Sequence, residues 1–115
     1  MAKILGSKCY SVLTDEMFSH VVIFWTRTEV ANAPVDLLAG IEKFLKPIPG
    51  VLHFHAGKMA VSNRPVVDQT YQVALNLVFS SRKAQDEYQA HPLHVEFVET
   101  VFKKTCARVV VYDFE

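Results

Sequence analysis

Ser19-His20-Val21-Val22-Ile23-Phe24-Trp25-Thr26-Arg27 is a run rich in strand-forming residues with no polar alternation. In an extended chain, successive side chains point to opposite faces. His20, Val22 and Phe24 therefore share one face, and Val21, Ile23 and Trp25 share the other. Both faces are apolar, and a strand of that kind is covered on both sides. Helices can cover one face; the other needs a second partner.

Outward from this strand the chain alternates between strand and helix signals. After Asn32-Ala33-Pro34 the spacing predicts a helix to about Lys46, with Leu37, Leu38, Ile41, Phe44 and Leu45 as its apolar stripe. Pro47-Ile48-Pro49-Gly50 ends it by removing N–H donors and supplying a flexible residue. A second strand covers Val51 to Met59, and a long loop covers residues 60–70, as in lids and subunit contacts. A third strand, Tyr71 to Phe79, places Val73, Leu75, Leu77 and Phe79 on one face. Ser80-Ser81 caps a helix through Tyr88, a Pro-started helix runs from Pro92 to about Thr105, and residues 107–114 form the last strand.

The order is βαββαβ, with the last helix in two pieces. The class is therefore α+β, a ferredoxin-like sandwich whose four-stranded antiparallel sheet carries both helices on one face. That leaves Val21, Ile23 and Trp25 exposed on the opposite face. An apolar face of that size is expected to be covered by a second copy of the sheet, giving a homodimer in which two sheets form an α/β barrel. The domain is expected to span 17–115. Residues 1–16 stand apart as an N-terminal extension: an extra strand, a flexible arm, or an upstream start ahead of Met17.

Composition bounds the partners. The chain has 115 residues, half of them hydrophobic, which is one domain. Twelve basic and twelve acidic residues balance to zero formal charge, with no basic stripe to mark a nucleic-acid or anionic-membrane surface. No run approaches a membrane span, and the two cysteines, Cys9 and Cys106, have neither metal-site nor secreted-disulfide spacing. Reduced thiols and a cytoplasmic location are the simpler reading.

The chemistry-bearing stretch is Glu87-Tyr88-Gln89-Ala90-His91-Pro92-Leu93-His94. His91 precedes proline and is pushed out of helical dihedrals, so a new helix begins at Pro92. His94 lies in its first turn, where the helix dipole favours the neutral ring. It shares a face with Phe97, Val98, Val101, Phe102 and Thr105, so it points toward the core. Tyr88 is placed to hydrogen-bond it, or to serve as an ordinary amphipathic core residue. A histidine on an apolar face is more often a satisfied core residue than a catalyst, so both readings stand. His53 and His55, two apart on a strand, share a face, but without further ligands nearby no metal site is expected.

The chain resembles the stress-responsive A/B barrel family, often called Dabb, within the dimeric α/β barrel superfamily. The resemblance is carried by His20-Val21-Val22-Ile23-Phe24, by Tyr88-Gln89-Ala90-His91-Pro92-Leu93-His94-Val95, and by Val109-Val110-Val111-Tyr112-Asp113-Phe114. It covers about residues 17–115 and implies the same dimeric barrel. It implies little about activity, because most members have no assigned reaction. Polyketide cyclases of the family use a histidine and a tyrosine that match His94 and Tyr88, and a further pocket histidine matches His20. A third-strand histidine of those enzymes falls at Val73, so the pocket floor here is more apolar.

Together these residues imply a cavity between sheet and helices, bordered by His20, Tyr88 and His94 and lined by Phe24, Leu38, Val73, Leu75, Phe97 and Val101, fit for a small apolar ligand. Three functions compete. One is a homodimeric protein of unassigned activity, in which the three polar residues form a network that fixes the fold. The second is a cofactor-free lyase or cyclase acting on a polyketide-like or small aromatic carbonyl compound, with His94 as base and Tyr88 stabilising the oxyanion. The third is a monooxygenase, a chemistry hosted by neighbouring families of the superfamily.

Overall fold

Phe18, His20, Val22 and Phe24 are buried at alternate positions along the first strand, while Ser19, Val21, Ile23 and Trp25 are only half-buried. This is the period of two expected of a sheet packed on one side. The computed structural model describes residues 17–115, so the expectations for residues 1–16 lie outside the described residues. Strand β1 (Phe18–Thr26) is followed by helix α1 (Ala33–Gly40), strands β2 (Val51–Lys58) and β3 (Val73–Phe79), helices α2 (Arg82–Ala90), α3 (Pro92–Phe97) and α4 (Lys103–Thr105), and strand β4 (Cys106–Phe114). The sheet order is β2-β3-β1-β4, with every neighbour antiparallel, so the ferredoxin-like arrangement is present. No helix among the described residues is long and apolar enough to cross a membrane.

Local chemistry explains the boundaries. Asn32 sits at φ 60°, ψ 24°, a left-handed conformation that asparagine tolerates, and Pro34 opens α1 behind it. Gly50, at φ 94°, turns the chain into β2 where a side chain would be strained. Ser81 Oγ accepts the Ala84 N–H at 3.1 Å and caps α2. His91 is extended at φ −64°, ψ 140°, as a residue before proline should be. Its Nδ1 accepts the Leu93 N–H at 3.1 Å, so His91 is the cap of α3.

Both long helical segments widen into π-turns. Residues Ile41–Leu45 continue α1 with the Lys46 N–H donating to the Ile41 carbonyl at 3.1 Å, five residues back. Residues Val98–Phe102 join α3 to α4 in the same manner, with the Lys103 N–H donating to the Val98 carbonyl. Such widened turns cluster at functional sites. The two segments meet where Gly40 is buried against Val101: a Cβ built on Gly40 would lie 2.6 Å from Val101 Cγ1.

The core lies between sheet and helices. Leu37 and Ile41 from α1 and its continuation, Leu77 and Phe79 from β3, and Phe18 from β1 are all but sealed from solvent. The opposite sheet face is different. The register sets Val21 opposite Tyr112, Ile23 opposite Val110, and Trp25 opposite Arg108, and directly opposed residues share a face. Arg108 holds its guanidinium 4.1 Å over the Trp25 ring, and Trp25 Nε1 donates to Thr70 Oγ1 at 3.0 Å. Tyr112 and Phe114 remain 60% and 61% exposed on this face. His53 and His55 are exposed on edge strand β2, opposite Val78 and Asn76. The long β2–β3 loop closes on itself, with Ser62 and Gln69 exchanging two hydrogen bonds of 3.0 and 2.7 Å.

Candidate active site

A cavity of about 400 Å³ opens between the inner sheet face and the α2–α3 helices. The inner face of β1 supplies His20, Val22 and Phe24, and β3 supplies Leu75. The far wall comes from Phe97, Val98 and Phe102, the last two on the π-turn. Val109 and Val111 of edge strand β4 form the open side and are 37% and 47% exposed.

Four aromatic rings organise the polar end. Tyr88, on the last turn of α2, is 1% exposed. Its ring meets that of His94 at 5.0 Å and 74°, that of Phe79 at 5.2 Å, and that of His20 at 6.2 Å. The His91–Pro92 break makes this meeting possible: it redirects the chain within four residues, so that side chains from two helices converge. His20, Tyr88 and His94 all stand in the lining of this cavity.

The pocket walls differ in part. Phe24, Leu75 and Phe97 line the cavity, whereas Leu38, Val73 and Val101 do not. Val101 is turned against the bare backbone of Gly40. Val73 is fully buried at the far end of β3, paired with Phe24 and Lys58. Leu38 packs on the core from α1, half-buried.

Asp113 was not singled out from the sequence. Its Oδ1 lies 2.6 Å from His20 Nδ1, joining β4 to β1 at the cavity mouth. In a neutral His20 that donates to Asp113 through Nδ1, the other ring nitrogen is an acceptor. Gln85 and Gln89 of α2 also line the cavity, and Gln85 Nε2 donates to Gln89 Oε1 at 3.1 Å. The available signal was alternation: Val109, Val111 and Asp113 fall on one face of the closing strand. Among the described residues no group of three or more metal-ligating side chains gathers, and His53 and His55 lie away from the cavity.

The electrostatics divide the roles. Burial pushes the Tyr88 phenol well above its ordinary value, with no hydrogen bond contributing, so the hydroxyl remains a proton donor. Burial, and then the neighbouring His20, lower the His94 pKa from the usual 6.5. The neutral ring expected from the helix end therefore owes its state first to desolvation.

A pH prediction follows from His94. The folded chain resists protonating this ring, so below about pH 6.5 the unfolded chain binds a proton that the folded chain does not. Stability is thus withdrawn as pH falls through the ordinary histidine value, and is unaffected by this group above it. Thermal melts between about pH 7.5 and 5 should show a steeper fall in Tm for the wild type than for His94→Gln. Parallel curves would show that His94 titrates normally.

The model of the stress responsive A/B barrel domain matches residues 18–115. The Arabidopsis thaliana stress-response A/B barrel domain-containing protein HS1 is 33% identical over 98 residues, spanning 84% of this chain and 86% of the relative. A dimeric protein of unknown function and ferredoxin-like fold from Bacteroides fragilis aligns with a TM-score of 0.67 at 20% identity, over 87% of this chain and 96% of that one. The hydroxynitrile lyase from Passiflora edulis aligns with a TM-score of 0.67 at 18% identity, over 86% and 92% of the two chains. At such identities the two solved structures establish a common fold. With a family model matching residues 18–115, the chain belongs to the stress responsive A/B barrel domain family.

Proposed function

We propose that this protein is a cytoplasmic homodimer whose cavity performs cofactor-free acid–base chemistry on a small carbonyl compound, as a lyase or cyclase does. The observation that carries this reading is the meeting of the Tyr88 and His94 rings, 5.0 Å apart, at the polar end of an otherwise apolar cavity. One ring is held neutral and the other keeps its proton, which is the pairing of base and oxyanion donor that enolate chemistry needs. His94 takes the proton alpha to the carbonyl, the C–H electron pair forms the enolate double bond, and the carbonyl π pair moves to oxygen. The Tyr88 O–H donates to that oxygen. The enolate carbon then attacks a second carbonyl, whose π pair moves to its own oxygen and takes the proton back from His94; the same steps in reverse cleave such a bond.

The same fold in the Passiflora edulis enzyme hosts a lyase, and the Bacteroides fragilis neighbour is dimeric; both accord with the proposal. The outer sheet face with Val21, Ile23 and Trp25 is the natural seat of the second copy. A second reading has its own support: the 2.6 Å tie between His20 and Asp113 joins two strands and favours a fold-fixing role for His20.

The test is deuterium exchange of alpha protons in small aryl methyl ketones, followed by NMR in D2O. Wild-type protein is expected to accelerate exchange, and His94→Gln and Tyr88→Phe to reduce the rate by roughly a hundredfold or more. Equal rates in wild type and folded variants would reject the catalytic reading.

A further inference from the structure

We infer that the cavity selects uncharged carbonyl compounds and rejects carboxylates. This rests on the cavity being the functional site and names its substrate class. Among the described residues that line it, the one formal charge is Asp113, and neither lysine nor arginine contributes. Asp113 stands at the mouth with its side chain 38% exposed, so an entering carboxylate passes a like charge. Arg82 senses Asp113 electrostatically, but its guanidinium donates to Glu115 at 3.0 Å and lies over the Phe18 ring, outside the cavity.

The interior offers no substitute cation. Protonating His94 to meet an anion would place an imidazolium at a half-buried position beside His20. The remaining polar groups are neutral: the Tyr88 hydroxyl and the linked amides of Gln85 and Gln89. These hydrogen-bond a carbonyl or hydroxyl well. They do not compensate an ion that has left water, whereas the apolar walls of Phe24, Leu75 and Phe97 reward an uncharged ring.

The experiment compares two probes of one shape, 2-acetylnaphthalene and 2-naphthoate, by fluorescence titration of the full chain near neutral pH. The ketone is expected to bind at least about tenfold more tightly. Asp113→Asn should narrow that gap. Gln89→Lys, at an exposed position on the cavity rim, should strengthen naphthoate binding by about tenfold. Equal or tighter naphthoate binding by wild type overturns the inference. So does Gln89→Lys without effect on naphthoate, or binding of neither probe. Ketone preference without alpha-proton exchange rejects the catalytic reading and keeps this one; exchange with carboxylate preference does the reverse.

Discussion

Gly40→Ala is expected to destabilise the protein by about 2 kcal/mol, although alanine is the better helix former. The added Cβ would lie 2.6 and 2.8 Å from the two γ-methyls of Val101 and 3.1 Å from its Cβ. Valine on a helix has one strongly preferred rotamer, so its methyls cannot swing aside. The helical segments must part instead, and the overlap outweighs a propensity gain of about 1 kcal/mol. Tm should fall by about 10 °C at this chain length. The decisive comparison is a double-mutant cycle. Val101→Ala removes both γ-methyls, so Gly40→Ala should cost little or nothing in that background, a coupling of more than about 1 kcal/mol. Additive effects would mean that the helices do not meet as described.

Ile23→Glu is expected to convert the assembly to monomers while each protomer keeps its fold. Ile23 lies between Ala74 of β3 and Val110 of β4, near the centre of the outer sheet face. The substitution leaves the core beneath β1 untouched, because the buried partners Val22 and Phe24 point the other way. In a two-fold dimer it places two carboxylates in an apolar interface with no partner. Each such charge costs several kcal/mol, so dissociation should be favoured by roughly a thousandfold or more. Sedimentation velocity or native mass spectrometry reads the mass, and far-UV circular dichroism checks the fold. A dimer of unchanged mass would remove this face as the interface.

The strands were legible because their residues are β-branched or aromatic with a clear period: β1 and β3 lie within one or two residues of the spans expected. The helix restart at Pro92 was legible for steric reasons, and the structure adds the capping role of His91. The π-turns were not legible. No residue type specifies a five-residue hydrogen bond, and its consequence is a change of phase: Val98 and Phe102 face the cavity while Val101 faces Gly40. Strict helical periodicity had placed Val101 in the pocket. The role of Asp113 is not legible in the sequence for a topological reason. Its partner lies in the first strand, and only the β1–β4 register brings the two together.

The His20–Asp113 contact joins residues 93 positions apart. Contacts of such separation close late, because chain entropy must first be lost over the whole intervening loop. β1 precedes β4 in the chain, so His20 has no partner until the closing strand pairs with it. The mouth of the cavity is thus completed only when β4 takes its place beside β1.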